Sequence, residues 1–160
     1  MSIPDTGMAG TLDLGDPPAN IHPPNKRELG RRLALLALAK TYNRKGIVYS
    51  GPMYKSMAIE ERKIRVRFDH VGGGLVARDG KPLAWFQLAG ADKTFAEARA
   101  EIDGDSVIVG ADTIEKPVAV RYAWHQTPGY TPGTNGPTGP TPNLTNAEGL
   151  PAFPFRTDAW

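Results

Sequence analysis

A single leucine-rich helix constrains the fold of this chain more than any other feature of its sequence. Asn25, followed three residues later by Glu28, is a capping pattern that predicts a helix start, and the helix is predicted over 26–43. Its apolar face is formed by Leu29, Leu33, Leu35, Leu36 and Leu38. Burying five leucines contributes roughly 8–15 kcal/mol, as much as the net stability of a whole domain. We therefore expect this helix to be buried against a sheet.

The sequence around the helix supplies little sheet to cover it. Residues 6–14 predict one short strand, which ends at the GDPP turn at 15–18 because proline cannot extend a strand ladder. One strand and one helix do not make a stable α/β layer. Either the helix packs on the β structure that follows it, or its partner is a sheet N-terminal to residue 1 in a longer protein.

After Gly46 the apolar period changes from 3.6 to 2. Short strands are predicted at 47–49, 64–68, 83–89, 95–102, 106–109 and 118–124. Turns are predicted between them at 78–81, 90–93 and 103–105, and Gly72, Gly73 and Gly74 are interpreted as a hairpin connection. The run 95–101 has the composition of a helix but the alternation of a strand, and its flanking turns favour a strand. This spacing is typical of a small antiparallel β-sandwich.

The chain divides by composition into four segments. Residues 1–45 hold the first strand and the helix, 46–126 the β-sandwich, 127–142 a loop, and 143–160 a tail. The loop contains five Pro, four Gly and five Thr, which is typical of a solvated connection. The tail regains Leu150, Phe153, Phe155 and Trp160, so we expect it to dock on the body. The fold class is α+β.

Composition excludes several kinds of site. The 160 residues include no cysteine, which removes disulfides, iron–sulfur clusters and a thiolate nucleophile. The three histidines are scattered, so neither a metal site nor any other cofactor is expected, and His70 and His125 are interpreted as structural. No apolar run approaches the roughly 20 residues of a membrane span. The first eight residues carry neither a basic opening nor an apolar stretch, so no export signal is predicted.

Charge is uneven along the chain although its net value is only +2. The stretch 26–67 holds twelve basic and three acidic residues. Such a stretch can bind nucleic acid. Arg31 and Arg32, however, lie off the leucine face, and Arg65 and Arg67 alternate outward on a strand, so we interpret these residues as solvated surface and expect no nucleic-acid partner.

His22 is the residue best placed for chemistry. It lies in a proline-flanked loop between the predicted strand and the helix, with Asp13 and Asp16 upstream. In Ser-His-Asp hydrolases the general base is held rigidly beside the nucleophile and is oriented by a carboxylate. Local sequence alone favours the interpretation of His22 as a surface loop histidine.

Several ordered blocks together resemble the C-terminal part of sialate O-acetylesterases. They are DLGD at 13–16, NIHPPNK at 20–26, GPMYKS at 51–56, FDHVGGGL at 68–75, AGAD at 89–92, IDGD at 102–105, PVAVRYAW at 117–124 and GLPAFPFRTD at 149–158. The resemblance runs from about residue 3 to 158 and fails chiefly in the TPG-rich loop.

These enzymes are SGNH-type serine esterases. The resemblance implies that residues 1–45 are the last strand, catalytic-histidine loop and closing helix of an α/β/α hydrolase domain, followed by a β-domain. It implies that His22 is the catalytic base and that the serine nucleophile lies upstream, outside this chain, which would be inactive alone. The family block has Asp three residues before the histidine, where this chain has Ala19. Asp16 is the first candidate for the acid, Asp13 the second, and a backbone carbonyl the third.

The resemblance also implies a substrate and a compartment. An acetylated sugar would be the substrate of the completed enzyme, and full-length relatives are expected in the periplasm, outside the cell or in lysosomes. An alternative of another class is a non-catalytic glycan-binding or interaction module, whose β-sandwich presents Trp85, Tyr122 and Trp124 to sugars.

Overall fold

The computed structural model describes residues 6–14, 25–126, 128–129 and 139–160. The described residues form one helix, α1 (Lys26–Lys40), and ten strands. In chain order these are β1 (Met53–Glu60), β2 (Lys63–Asp69), β3 (Leu75–Ala77), β4 (Phe86–Ala89), β5 (Phe95–Glu97), β6 (Arg99–Asp103), β7 (Ser106–Gly110), β8 (Ala119–Tyr122), β9 (Leu144–Asn146) and β10 (Phe155–Arg156). The architecture is α+β and mostly antiparallel sheet.

Helix α1 begins as predicted and ends earlier. The Asn25 side chain accepts a hydrogen bond from the Glu28 backbone N–H, the predicted cap. The helix stops at Lys40, three residues before the predicted end. Asn43 takes a left-handed conformation (φ 51°), and the Arg44 N–H donates back to the Leu38 carbonyl, which closes the C-terminus.

The predicted strand over 6–14 is wrong. This segment is irregular and ends in a turn in which the Leu14 N–H donates to the Thr11 carbonyl. A strand needs a neighbour to satisfy its backbone groups, and no described strand lies beside this one. The segment instead runs along α1, where Gly7 lies so close to Leu36 that an added Cβ would be 2.1 Å from the leucine Cδ2.

The strands form two four-stranded antiparallel sheets and one two-stranded sheet. The first sheet has the order β1-β2-β7-β6, the second β10-β8-β4-β5, and β3 pairs with β9. Alternate residues of the two larger sheets contribute to a single hydrophobic cluster, which includes Ile64, Val66, Val107, Val109, Leu88, Val120 and Tyr122. The predicted alternation therefore identified the core faces of β2, β4, β7 and β8.

Two strand predictions need correction near residue 50. Residues 47–49 are not a strand, and β1 follows instead at Met53–Glu60. Strand β1 contains an irregularity between Tyr54 and Ser56, where its register against β2 shifts. A bulge of this kind interrupts the period of 2, which explains why the alternation of β1 is not visible in the sequence.

The run 95–102 is strand, not helix, but it forms two strands. β5 pairs with β4 in the second sheet, whereas β6 pairs with β7 in the first sheet. The chain crosses between the sheets at Ala98, whose N–H donates to the Phe86 carbonyl.

The glycines at 72–74 do not form a hairpin connection. They lie between β2 and β3, which belong to different sheets. The Gly73 N–H instead donates to the Glu148 carboxylate at 3.0 Å, so this turn is held by the C-terminal part of the chain.

The C-terminal residues complete both the second and the third sheet. β9 and β10 both come from 143–160, and two buried amides fix this segment. Asn146 Nδ2 donates to the Ser50 carbonyl, and its Oδ1 accepts from the Leu150 N–H. Asn143 Nδ2 donates to the Pro82 carbonyl, and its Oδ1 accepts from the Ala84 N–H.

Candidate active-site segment

The described residues on either side of the predicted histidine loop are joined by one buried arginine. Arg32 Nη1 and Nη2 bind Asp13 Oδ1 and Oδ2 at 2.6 and 2.7 Å. Arg32 Nε binds Glu28 Oε1 at 2.8 Å, and Nη1 also donates to the Gly10 carbonyl at 2.7 Å. Asp13 precedes the loop and Glu28 follows it. The Arg32 guanidinium therefore links the segment before the loop to the segment after it.

A second arginine ties this cluster to the sheets. Arg78, which follows β3, places Nη1 at 2.9 Å from Asp13 Oδ2. Its Nη2 donates to the Pro142 carbonyl at 3.3 Å, and its backbone N–H donates to the Asn143 carbonyl. We call Asp13, Glu28, Arg32 and Arg78 the Asp13 cluster. It connects the N-terminal segment, α1, the β3 region and the C-terminal part of the chain.

Burial makes the cluster energetically important. The side chains of Arg32 and Asp13 are only 4% and 8% exposed. Burial by itself lowers the pKa of Arg32, but the hydrogen bonds that Arg32 donates to Asp13 and Glu28 outweigh it, so the net shift is upward. Each buried charge thus has an opposite charge within hydrogen-bond distance, which is the condition under which buried ions are tolerated.

Glu28 has a second cationic partner. Arg31 Nε and Nη2 bind its two carboxylate oxygens at 2.7 and 2.8 Å. The hydrogen bond from Arg31 is the main reason why the pKa of Glu28 falls to about 2, with Arg32 adding to the effect. Glu28 also lies in the first turn of α1, where a negative charge is favoured by the helix dipole.

The expectation that Arg32 is a solvated surface residue is wrong. Arg32 is the one buried residue of α1, whereas Arg31 beside it is 46% exposed. The spacing of Glu28 and Arg32, four residues apart on a helix, was visible in the sequence. The distant partners Asp13 and Arg78 were not, because only the tertiary fold brings them together.

The two leading catalytic candidates, His22 and Asp16, lie outside the described residues. The second candidate for the acid, Asp13, is described. Both of its oxygens bind guanidinium groups, Oδ1 that of Arg32 and Oδ2 those of Arg32 and Arg78. This arrangement makes Asp13 an anchor at the start of the loop.

His70 and His125 are both described, and each contacts an aromatic ring. His70 lies edge-on to Tyr49 with ring centroids 5.3 Å apart, and its carbonyl accepts from Asn146 Nδ2. His125 lies 5.6 Å from the Trp85 ring. Within the described ranges, no three His, Asp or Glu side chains are grouped so as to hold a metal ion.

Five of the twelve basic residues of 26–67 form ion pairs with acidic side chains in the described part of the chain. Arg65 binds Glu60 at 2.7 Å and Asp103 at 2.6 Å, and Lys55 binds Asp69 at 2.7 Å. Asp69 and Asp103, which lie outside the stretch, thus offset part of its charge. No helix in the described part of the chain is long and apolar enough to cross a membrane.

Comparison with known proteins relates the chain to solved structures. No protein-family model matches the chain, and no curated protein matches it. A solved structure described as a novel carbohydrate acetylesterase from Xanthomonas citri is 42% identical and superimposes with a TM-score of 0.81. The alignment covers 92% of this chain and 31% of that enzyme, so the chain spans about a third of its length. This similarity relates the chain to a carbohydrate esterase, in agreement with the resemblance of its sequence blocks.

Proposed function

We propose that this chain is a C-terminal part of an SGNH-type serine carbohydrate esterase that removes O-acetyl groups from sialic acid or other acetylated glycans. The observation that carries the proposal is the 42% identity to the Xanthomonas citri carbohydrate acetylesterase over nearly the whole chain. In this proposal residues 1–45 complete the hydrolase domain, the two large sheets pack as a β-sandwich, and the nucleophilic serine comes from residues upstream.

The exposed leucines of α1 support a missing partner. Leu33 and Leu38 are 48% and 37% exposed, and Leu29, Leu35 and Leu36 are only partly buried. An amphipathic helix in a finished domain turns such a face to the core. The hydrolase sheet of the longer enzyme would cover this face.

His22 is the proposed general base. It takes the proton from the serine hydroxyl as Oγ bonds to the acetyl carbon, and it returns that proton to the sugar oxygen as the ester C–O bond breaks. Water then attacks the acyl-enzyme by the same route and releases acetate. Asp16 is the proposed orienting acid, since the oxygens of Asp13 are already bound by Arg32 and Arg78.

The Asp13 cluster has a defined role in this scheme. The productive geometry of a general base must be held closely, because small displacements lower the rate strongly. Arg32 joins the residues that precede and follow the histidine loop, and Arg78 joins them to the sheets. The cluster thus fixes the positions of the residues that flank the histidine loop.

A chimera tests the proposal directly. The N-terminal part of the Xanthomonas citri enzyme that this chain does not cover is joined to these 160 residues. We expect the chimera to release acetate from an acetylated glycan and the His22→Ala chimera to lose roughly 10³–10⁴-fold in kcat, as triad members generally do. The isolated chain should show no turnover above its own His22→Ala variant. A folded chimera that is inactive, or an active isolated chain, contradicts the proposal.

Two of the three aromatic residues predicted to contact sugars, Trp85 and Trp124, favour the glycan-binding alternative, and Tyr122 does not. Tyr122 is 1% exposed and lies in the core, so it does not present a surface to sugars. Trp124 is 48% exposed and Trp85 lines a cleft. Sugar binding by the sheets is compatible with the esterase proposal, since both concern the same class of ligand.

A further inference from the structure

A cleft of about 410 Å³ opens beside Trp85 at the second sheet. Its walls include Lys81, Pro82, Trp85, Gln87, Glu97 and Pro140. This volume lies in the range of small-molecule sites, which combine an apolar surface with a few polar groups. The cleft has both components, an indole on one side and three polar side chains around it.

Trp85 is held in an unusual conformation. Its φ of 68° is left-handed, which is an outlier for a bulky residue that is not glycine. The indole Nε1–H donates to the Pro140 carbonyl, and the Trp85 carbonyl accepts from the Ala123 N–H. Strained backbone positions that persist are concentrated at functional sites. The ring is therefore oriented before any ligand arrives.

The polar side chains of the cleft have no hydrogen-bond or ion-pair partner among the residues that the structure describes. Gln87 and Glu97 are directly paired across β4 and β5, so they share one face of the sheet. Among the described residues, neither side chain makes a hydrogen bond or ion pair, and the Lys81 ammonium makes none either. Gln87 is half-buried, and an amide in that position gains from a bonding partner. The cleft thus offers an amide, a carboxylate and an ammonium to a ligand.

We propose that this cleft binds a neutral pyranose unit of an oligosaccharide. A pyranose has an apolar C–H face that packs on an indole, and a rim of hydroxyls that both donate and accept hydrogen bonds. Gln87, Glu97 and Lys81 match that rim, and the opposite charges of Glu97 and Lys81 leave no net charge to select an anionic sugar. The choice of a sugar over other ligands rests on the proposed function.

The test is a titration of the 160-residue chain, followed by NMR through the Trp85 indole N–H resonance. The probes are cellohexaose, xylohexaose and mannohexaose as neutral glycans and a sialic acid dimer as an acidic one without a neutral pyranose. We expect saturable shifts of this resonance with at least one neutral probe and none with the sialic acid dimer. Glu97→Ala should weaken binding roughly tenfold or more, because it removes an exposed acceptor without a structural partner.

Trp85→Ala should weaken binding at least as much, read from the amide resonances of Gln87 and Glu97. Trp124→Ala is the matched control, since Trp124 is exposed but does not line the cleft, and it should bind like the parent chain. Absence of binding to every neutral probe, binding of the sialic acid dimer alone, or equal binding by the Glu97→Ala variant overturns the inference. Binding is measured without ester cleavage, so an inactive chimera with intact binding refutes only the esterase proposal, and an active chimera without binding refutes only the cleft.

Discussion

At the scale of single residues, Arg32 has the largest predicted effect on stability. It is 4% exposed and binds Asp13 and Glu28, so its removal leaves the Asp13 carboxylate buried with only Arg78 as a cation partner. We expect Arg32→Met to lower the free energy of unfolding by about 3–5 kcal/mol, the usual cost of breaking a buried ion pair. Urea denaturation measures this.

The neighbouring arginine is the control for that prediction. Arg31 is 46% exposed and its ion pair is formed with Glu28 alone, so Arg31→Met should change the free energy of unfolding by less than about 1 kcal/mol. Equal effects of the two substitutions would show that burial of the cluster does not contribute to stability.

Glu28 makes stability depend on acid pH. Its pKa falls from 4.5 to about 2 on folding, so the unfolded chain binds the proton more tightly. The contribution is complete above pH 4.5 and is lost as the pH falls from there toward 2. After allowance for solvent screening we expect it to be about 1 kcal/mol.

Glu28→Gln should remove this part of the pH dependence. Denaturation midpoints between pH 5 and pH 2 provide the comparison, with Glu115→Gln as the control because Glu115 is 76% exposed. If Glu28→Gln retains the acid slope of the parent chain, the assignment of that slope to Glu28 is wrong.

At the scale of elements, β9 carries two adjacent buried polar side chains, Asn146 and Thr145, that differ in their hydrogen bonding. The Asn146 side chain binds the Ser50 carbonyl at 3.0 Å and the Leu150 N–H at 2.9 Å. The Thr145 hydroxyl is buried and has no hydrogen-bond partner among the described residues. The two residues are adjacent on one strand, so they form a matched pair for substitution.

We expect Asn146→Leu to destabilise the chain by about 2–4 kcal/mol, because it leaves buried backbone groups unsatisfied. Thr145→Val should be neutral or slightly stabilising, since it removes a buried hydroxyl that has no partner. Thermal denaturation of both variants provides the measurement, and a Thr145→Val variant that is the less stable of the two would contradict this account of β9.

At the scale of the whole molecule, the leucine face of α1 distinguishes a fragment from a finished domain. Leu33 is 48% exposed in this chain, so Leu33→Gln should change the stability of the isolated chain by less than about 0.5 kcal/mol. In the chimera with the Xanthomonas citri enzyme, the same substitution should cost about 2 kcal/mol or more, because a sheet would then cover the leucine.

Comparison of the two denaturation experiments decides the matter. Val66→Gln serves as the control. Val66 is fully buried here, so this substitution should destabilise both proteins. A large loss in the isolated chain on Leu33→Gln would show that the helix is already covered by its own chain.

Local sequence patterns determined the elements whose information is contained in a few adjacent residues. The Asn25 cap, the start of α1, the turn at Gly104 and the alternating faces of β2 and β7 follow from side-chain spacing and backbone preference alone. Pairing across the chain was decided only by the tertiary structure. The burial of Arg32 and the fixing of β9 depend on partners 19 and 96 residues away. The sheet change at Ala98 depends on whether β5 and β6 pair with β4 or with β7, which their own residues do not specify. A local pattern holds no information about such partners, because their contribution is a contact free energy that exists only once the sheets have assembled.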